Sequence, residues 1–127
     1  MSINIDKQIE YWQNGANEDI VTAELLINGN RLLPGLFFCH LVIEKILKAH
    51  VVKSTKEIPP RTHNLSWLLD KTPLVLAEKD KQFLGILMHY QLEGRYPDYN
   101  PEIPSKPTVL KYLQHTKSLL ECLEQQL

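Results

Sequence analysis

Apolar residues return every three to four positions along almost the whole chain, and nowhere do they alternate over the length of a strand. That spacing commits the fold to helices packed on helices. In the first segment Ile5, Ile9, Trp12, Ala16, Ile20, Ala23, Leu26 and Ile27 fall within roughly a third of a helical wheel, the broad stripe of a core-facing helix. The spacing predicts a helix over 5–28, stopped by Asn28-Gly29-Asn30. Asp19 lies inside the stripe. Either a cation or hydrogen-bond donors meet it there, with Lys45 and Arg95 the leading partners, or the helix rolls and brings it to water.

A second helix is expected from the Pro34 region to about Val52, proline being tolerated in a first turn that has no use for its N–H. One of its sectors holds Leu36, Phe38, Val42, Ile43, Ile46, Leu47 and Ala49. The other mixes Phe37, Leu41, Val51 and Val52 with His40, Glu44, Lys45 and Lys48. A helix apolar on nearly all sides is central in a bundle or shared with a partner, so the mixed sector reads as a dimer face or a site wall. Pro59-Pro60 marks a loop, and a short helix of about 64–71 follows, with Thr62 in the N-cap region. After Thr72-Pro73 a fourth helix is expected over about 76–93 and a fifth over about 107–125. Between those two, the fourteen residues Gly94–Pro107 carry four prolines, and a structureless loop that long is commonly functional. The expected architecture is all-α: a single five-helix up-and-down bundle over 1–127, four longer antiparallel helices and a short one.

At 127 residues and 43% apolar composition, one core can form without staples. The net charge of −1 supplies no global field toward nucleic acid, so any such site is a local patch. Residues 1–30 carry a net −4 and residues 44–63 a net +3, which makes the end of the second helix and its loop the best anion patch, or simply a solvated basic segment. Cys39 and Cys122 read as free thiols in a reducing compartment. No apolar signal core opens the chain and no stretch approaches the ~18 apolar residues of a spanning helix, so a cytoplasmic domain with no membrane role is expected.

The five glycines form no phosphate-binding spacing, and no cysteine pair has metal spacing. His40 and Glu44, four apart on one helix, read as an ion pair rather than a metal site; no cofactor or metal is expected. Glu44 and Lys48 form an i,i+4 pair worth only about 0.2–0.5 kcal/mol if exposed, which makes them more interesting as site walls than as stabilisers. The loop Gly94-Arg95-Tyr96-Pro97-Asp98-Tyr99 remains. A guanidinium fork matches phosphate oxygens and tyrosines stack on bases. Equally, Arg95 could cap helix carbonyls or pair with Asp98 or Asp19, and Tyr96-Pro97 could be a packed corner.

Four groups of residues in register resemble the HEPN (higher eukaryotes and prokaryotes nucleotide-binding) family over about residues 5–125. They are Trp12 with Ala16, Asp19 and Ala23; Phe38 with Ile43-Glu44-Lys45-Ile46-Leu47-Lys48-Ala49; Thr62-His63-Asn64-Leu65; and Arg95-Tyr96-Pro97-Asp98. The resemblance implies a helical homodimer. It also implies, for small stand-alone members, a frequent pairing with a minimal nucleotidyltransferase in a toxin–antitoxin-like system. Many members are metal-independent endoribonucleases whose site, at the dimer interface, is an Arg followed after four to six residues by a His. Arg95 matches the arginine, but Asn100, Pro101 and Glu102 stand where the histidine would fall. In one toxin branch a tyrosine two residues past that His is modified by the partner enzyme, and Glu102 occupies that position.

Without that imidazole the chain lacks the group best suited to move a proton near neutral pH, a loss typically of about 10²–10⁴ in rate. The favoured expectation is therefore a catalytically impaired homodimer that binds nucleotide or RNA and serves as an adaptor. Its anion site would use Arg95, Tyr96, Asp98 and Tyr99, with Lys45 and Lys48, and Asp19 and Glu44 would orient it. The alternatives are an endoribonuclease toxin in which His63 or His89 replaces the missing histidine, and a purely structural dimerisation module.

Overall fold

In the computed structural model, which describes residues 3–127, Asn4 opens α1 (Ile5–Asn28) by accepting the Lys7 N–H at 3.0 Å. The helix closes in a Schellman turn: Asn30 takes the left-handed conformation, and the Arg31 and Asn30 N–H groups return to the carbonyls of Leu26 and Ile27. Asn30 also accepts from Lys106, which fixes the start of the last helix to this corner. The chain then reverses into α2 (Leu32–Thr55), which begins two residues before Pro34 and runs three beyond Val52. At its end Lys56 adopts a left-handed conformation and donates to the Val52 carbonyl.

α2 is the axis of the molecule. Leu36, Cys39, Val42, Ile43, Ile46, Leu47, Ala49 and Val52 are all fully buried along it. Of the mixed sector, His40, Glu44, Lys48, Val51 and Val52 are buried, as is His50, while Phe37, Leu41 and Lys45 form a half-buried line along the helix. α1 packs against it through small residues. A methyl group on Gly35 would lie 2.4 Å from Ile27 Cγ1, so that crossing tolerates only hydrogen. Gly15 leaves a notch across which the Lys45 stem runs, its Cδ 3.0 Å from where a β-carbon would stand, to bring Nζ to Asp19 Oδ2 at 2.7 Å. Asp19 is thus a nearly buried carboxylate met by a lysine from α2.

Asn64, rather than Thr62, caps α3 (Leu65–Asp70) by accepting the Trp67 N–H. Thr62 acts one step earlier, its hydroxyl accepting the Asn64 N–H. α4 (Glu78–Met88) is shorter than its apolar pattern predicts at both ends. Leu76 is buried from an extended segment, and after Met88 the chain tightens into i→i+3 turns that bury Tyr90 and Gln91 without continuing the helix. The connection to α5 (Lys106–Gln125) therefore begins at His89. Ser105 caps α5, with Pro107 in its first turn.

Contacts at the ends fix the topology. Gln13 and Asn17, early in α1, bond Glu124, late in α5, while Glu24 pairs with Lys117. Phe83 of α4 packs on Tyr112 and stacks on His115, which pairs with Asp80 at 2.7 Å. α1 and α4 thus run against α5, and α2 runs beside it: His50 meets the Leu123 carbonyl at 2.7 Å and Lys53 donates to the carbonyls of Gln126 and Leu127. Up, down, up, down is the order of the long helices. No helix among the described residues is long and apolar enough to cross a membrane.

Candidate functional site

Gly94 turns the chain after α4 with a φ of 75°, a conformation that glycine adopts without steric cost. Arg95 then folds back, and its Nε donates to the Gln91 carbonyl at 3.0 Å. Its guanidinium lies 4.3 Å over the ring of Tyr99, a cation–π contact worth about 0.5–1 kcal/mol at an exposed position. Tyr99 is held in turn by its hydroxyl, which donates to the His89 carbonyl. Arg95 thus bonds, through Nε alone, a carbonyl beyond the end of α4 rather than capping the helix itself. The terminal nitrogens pair with neither Asp98 nor Asp19, nor with any other carboxylate among the described residues. They face an open depression of about 430 Å³ lined by Gly94, Arg95, Tyr96, Asp98 and Tyr99. Tyr96 is 82% exposed, so it is an available stacking face and not a packed corner. Beneath the loop, burial raises the Tyr90 hydroxyl above its ordinary pKa, helped by Tyr112, Glu102 and Tyr99.

A second cluster lies behind this loop, along α2. Glu44 is 4% exposed, and a carboxylate that deep costs several kcal/mol unless it is paired. Lys48 meets one of its oxygens at 3.1 Å and His63 Nδ1 meets the other at 2.7 Å. Lys48 also lies 5.1 Å over the Trp12 ring from α1. His40 supports His63 from the core side, its Nε2 3.0 Å from the His63 carbonyl. Carbonyl and carboxylate oxygens only accept, so His40 carries its proton on Nε2 and His63 carries one on Nδ1. Burial lowers the pKa of His40 below the ordinary value, against the pull of Glu44 and the carbonyl of His63, so it is neutral near pH 7. His63 is half-exposed, with Nε2 turned outward to within 3.8 Å of Glu93 Oε2.

The structure brings Arg95, Tyr96, Asp98 and Tyr99 around one depression, and joins Glu44 and His63 in a separate pair whose outer edge reaches the same loop through Glu93. Lys45 and Lys48 do not line that depression. Each is occupied by a carboxylate, and Lys45 borders a different groove with Tyr11, Asn14, Gly15 and Glu18. Of the basic segment, Lys53 is spent on the end of α5. His89 is exposed and contributes its carbonyl, not its ring, to the loop. Sequence reasoning missed Glu93 and the bracing role of His40. Both depend on the chain folding back across α2, which no local spacing announces. Among the described residues no three His, Cys, Asp or Glu side chains converge as metal ligands.

The HEPN domain family profile matches residues 9–126. Among solved structures, the crystal structure of TT1696 from Thermus thermophilus superposes with a TM-score of 0.79 at 19% identity, covering 94% of this chain and 98% of that one. At that identity the likeness is one of fold. No curated protein matches the sequence.

Proposed function

The chain belongs to the HEPN family, a group of nucleotide- and RNA-related helical domains, and from that premise we propose that it binds the phosphate of a nucleotide or RNA at the Arg95 loop. The observation that carries this reading is a guanidinium whose terminal N–H groups have no carboxylate partner, held by Gln91 and Tyr99 at the mouth of a depression. The fork of Arg95 would grip phosphate oxygens, Tyr96 would stack on a base, and Asp98 would accept from a sugar hydroxyl. In this proposal the protein acts as a homodimer and as the adaptor subunit of a minimal nucleotidyltransferase in a toxin–antitoxin-like pair, with little catalytic power of its own.

Fluorescence anisotropy with a labelled single-stranded oligoribonucleotide tests the site. Arg95→Ala should weaken binding by about tenfold or more, the worth of charge-assisted hydrogen bonds. Equal binding by wild type and variant would remove Arg95 from the site. Sedimentation and co-purification with the nucleotidyltransferase test the assembly, and a monomer that captures no such enzyme overturns it.

A second reading, an endoribonuclease, is favoured over its His89 version by one observation: Glu44 fixes the orientation and tautomer of His63 and leaves Nε2 facing outward. That is the arrangement a general base needs. Cleavage of a structured RNA in EDTA, with Arg95→Ala and His63→Ala beside wild type, decides it. Wild type cutting no faster than either variant ends this reading.

A further inference from the structure

We infer that Tyr99 is a positioning residue for the anion site, on the reading that the Arg95 loop is that site: it fixes the guanidinium before any ligand arrives and leaves only the terminal nitrogens on offer. Tyr96-Pro97-Asp98-Tyr99 forms a β-turn. Proline presets the backbone angle that the second position of such a turn needs, and the Tyr99 N–H returns to the Tyr96 carbonyl at 2.9 Å. The turn brings the Tyr99 side chain back to the end of α4, where its hydroxyl donates to the His89 carbonyl. His89 closes α4, so this carbonyl is one of those that a helix end leaves without an intrahelical partner. Arg95 Nε takes the Gln91 carbonyl two residues further on, at 3.0 Å. Tyr90 and Gln91 are both buried, so the two carbonyls belong to a stretch anchored in the core.

The two tyrosines of the turn then have different work. A guanidinium holds its N–H bonds in one fixed plane. The Nε bond is spent on Gln91, and the ring of Tyr99, 4.3 Å from the central carbon, covers one face. What remains is the edge formed by the two terminal nitrogens, a fork that matches two oxygens of one phosphate. Ordering a long, flexible side chain at the moment of binding weakens association by about two- to tenfold. Here Gln91 and Tyr99 have already ordered it. Tyr99 has little left for a ligand, since its hydroxyl is committed to His89, one ring face is committed to Arg95, and the side chain is half-buried. Tyr96 is 82% exposed, so stacking on a base falls to that ring. Tyr99 acts through Arg95, and Tyr96 acts on the ligand.

The chain has three arginines, Arg31, Arg61 and Arg95, and so three Nε–H peaks in a nitrogen–proton NMR correlation spectrum; Arg95→Lys identifies the one from Arg95. In the free wild type that peak should be displaced by the ring current of Tyr99 and should exchange with water more slowly than the other two. Tyr99→Phe, which keeps the ring, should retain the displacement, and Tyr99→Leu should lose it. Binding of the dinucleoside monophosphate uridylyl-uridine is measured on the same samples. Tyr99→Leu should weaken it by about two- to tenfold, and Tyr99→Phe should recover most of that loss. Tyr96→Leu should weaken binding with the Arg95 peak where it stands in the wild type. An Arg95 peak no different from those of Arg31 and Arg61 overturns the clamp. A Tyr99→Leu variant that loses the displacement yet binds as the wild type does overturns the positioning role. So does one that binds weakly with the Arg95 peak unmoved, because Tyr99 would then touch the ligand itself. Wild type binding no better than Arg95→Ala overturns the anion site, while the peak still decides whether Tyr99 holds the guanidinium.

Discussion

Glu44 is the side chain whose surroundings are most demanding. It is deeply buried, and Lys48 and His63 satisfy one oxygen each. Removing it strands a buried ammonium, so Glu44→Ala should cost about 3–5 kcal/mol in urea denaturation. A loss below ~1 kcal/mol would mean that water already reaches the pair. The two thiols differ just as sharply. Cys39 is fully buried and burial pushes its pKa up to about 11, whereas Cys122 is exposed. Alkylation of native protein near pH 7.5 should modify Cys122 alone, with Cys39 reacting only after denaturation. Some of this is legible in the sequence. The Asp19–Lys45 pair follows from a carboxylate falling inside an apolar stripe. The Glu44–His63 pair does not, because nineteen positions and a folded-back loop separate its members. Without His63, Glu44 and Lys48 read as an i,i+4 pair in a site wall, and the sequence does not announce a buried cluster.

Helices with a polar face announce themselves best. α1 and α5 match their expected spans to within a residue, because each has a single stripe and ends in strong capping signals. α4 does not, because Leu76 and Tyr90 are buried from non-helical chain and prolong the apparent pattern past the true ends. The cap of α3 lies two residues beyond the expected Thr62, since Thr62 and Asn64 are both good acceptors. α1 and α2 pack tightly at Gly35, where a methyl group would collide with Ile27. Alanine there gains about 1 kcal/mol of helix propensity but must displace Ile27, a strain of about 1–3 kcal/mol. Gly35→Ala should therefore lower the melting temperature, and a rise would mean that the two helices separate at little cost.

For the molecule as a whole, two buried imidazoles set the acid limit. Burial lowers the pKa of both His40 and His50 below the ordinary 6.5; a carbonyl partner opposes the fall at each, and Lys53 adds to it at His50. The unfolded chain thus binds protons that the folded one refuses. Their contribution is fully present above pH 6.5 and is lost as pH falls below that value toward the folded pKa values, at up to about 1.4 kcal/mol per pH unit for each ring. Urea midpoints at pH 7.5, 6.5 and 5.5 should fall in that order, and His50→Gln should flatten the slope. The up-and-down order of helices is readable from loop lengths and stripes, but the closure of α5 onto α2 by His50 and Lys53 is not, since it depends on register between distant helices. The notch at Gly15 has a consequence for descent. Because the lysine stem passes within 3.0 Å of where a β-carbon would stand, alanine at position 15 makes the stem shift by a few tenths of an ångström, and a bulkier residue presses it off its path to Asp19. Lineages with a bulky residue at position 15 should more often have surrendered the charges at 19 and 45, and an alignment of relatives would show it.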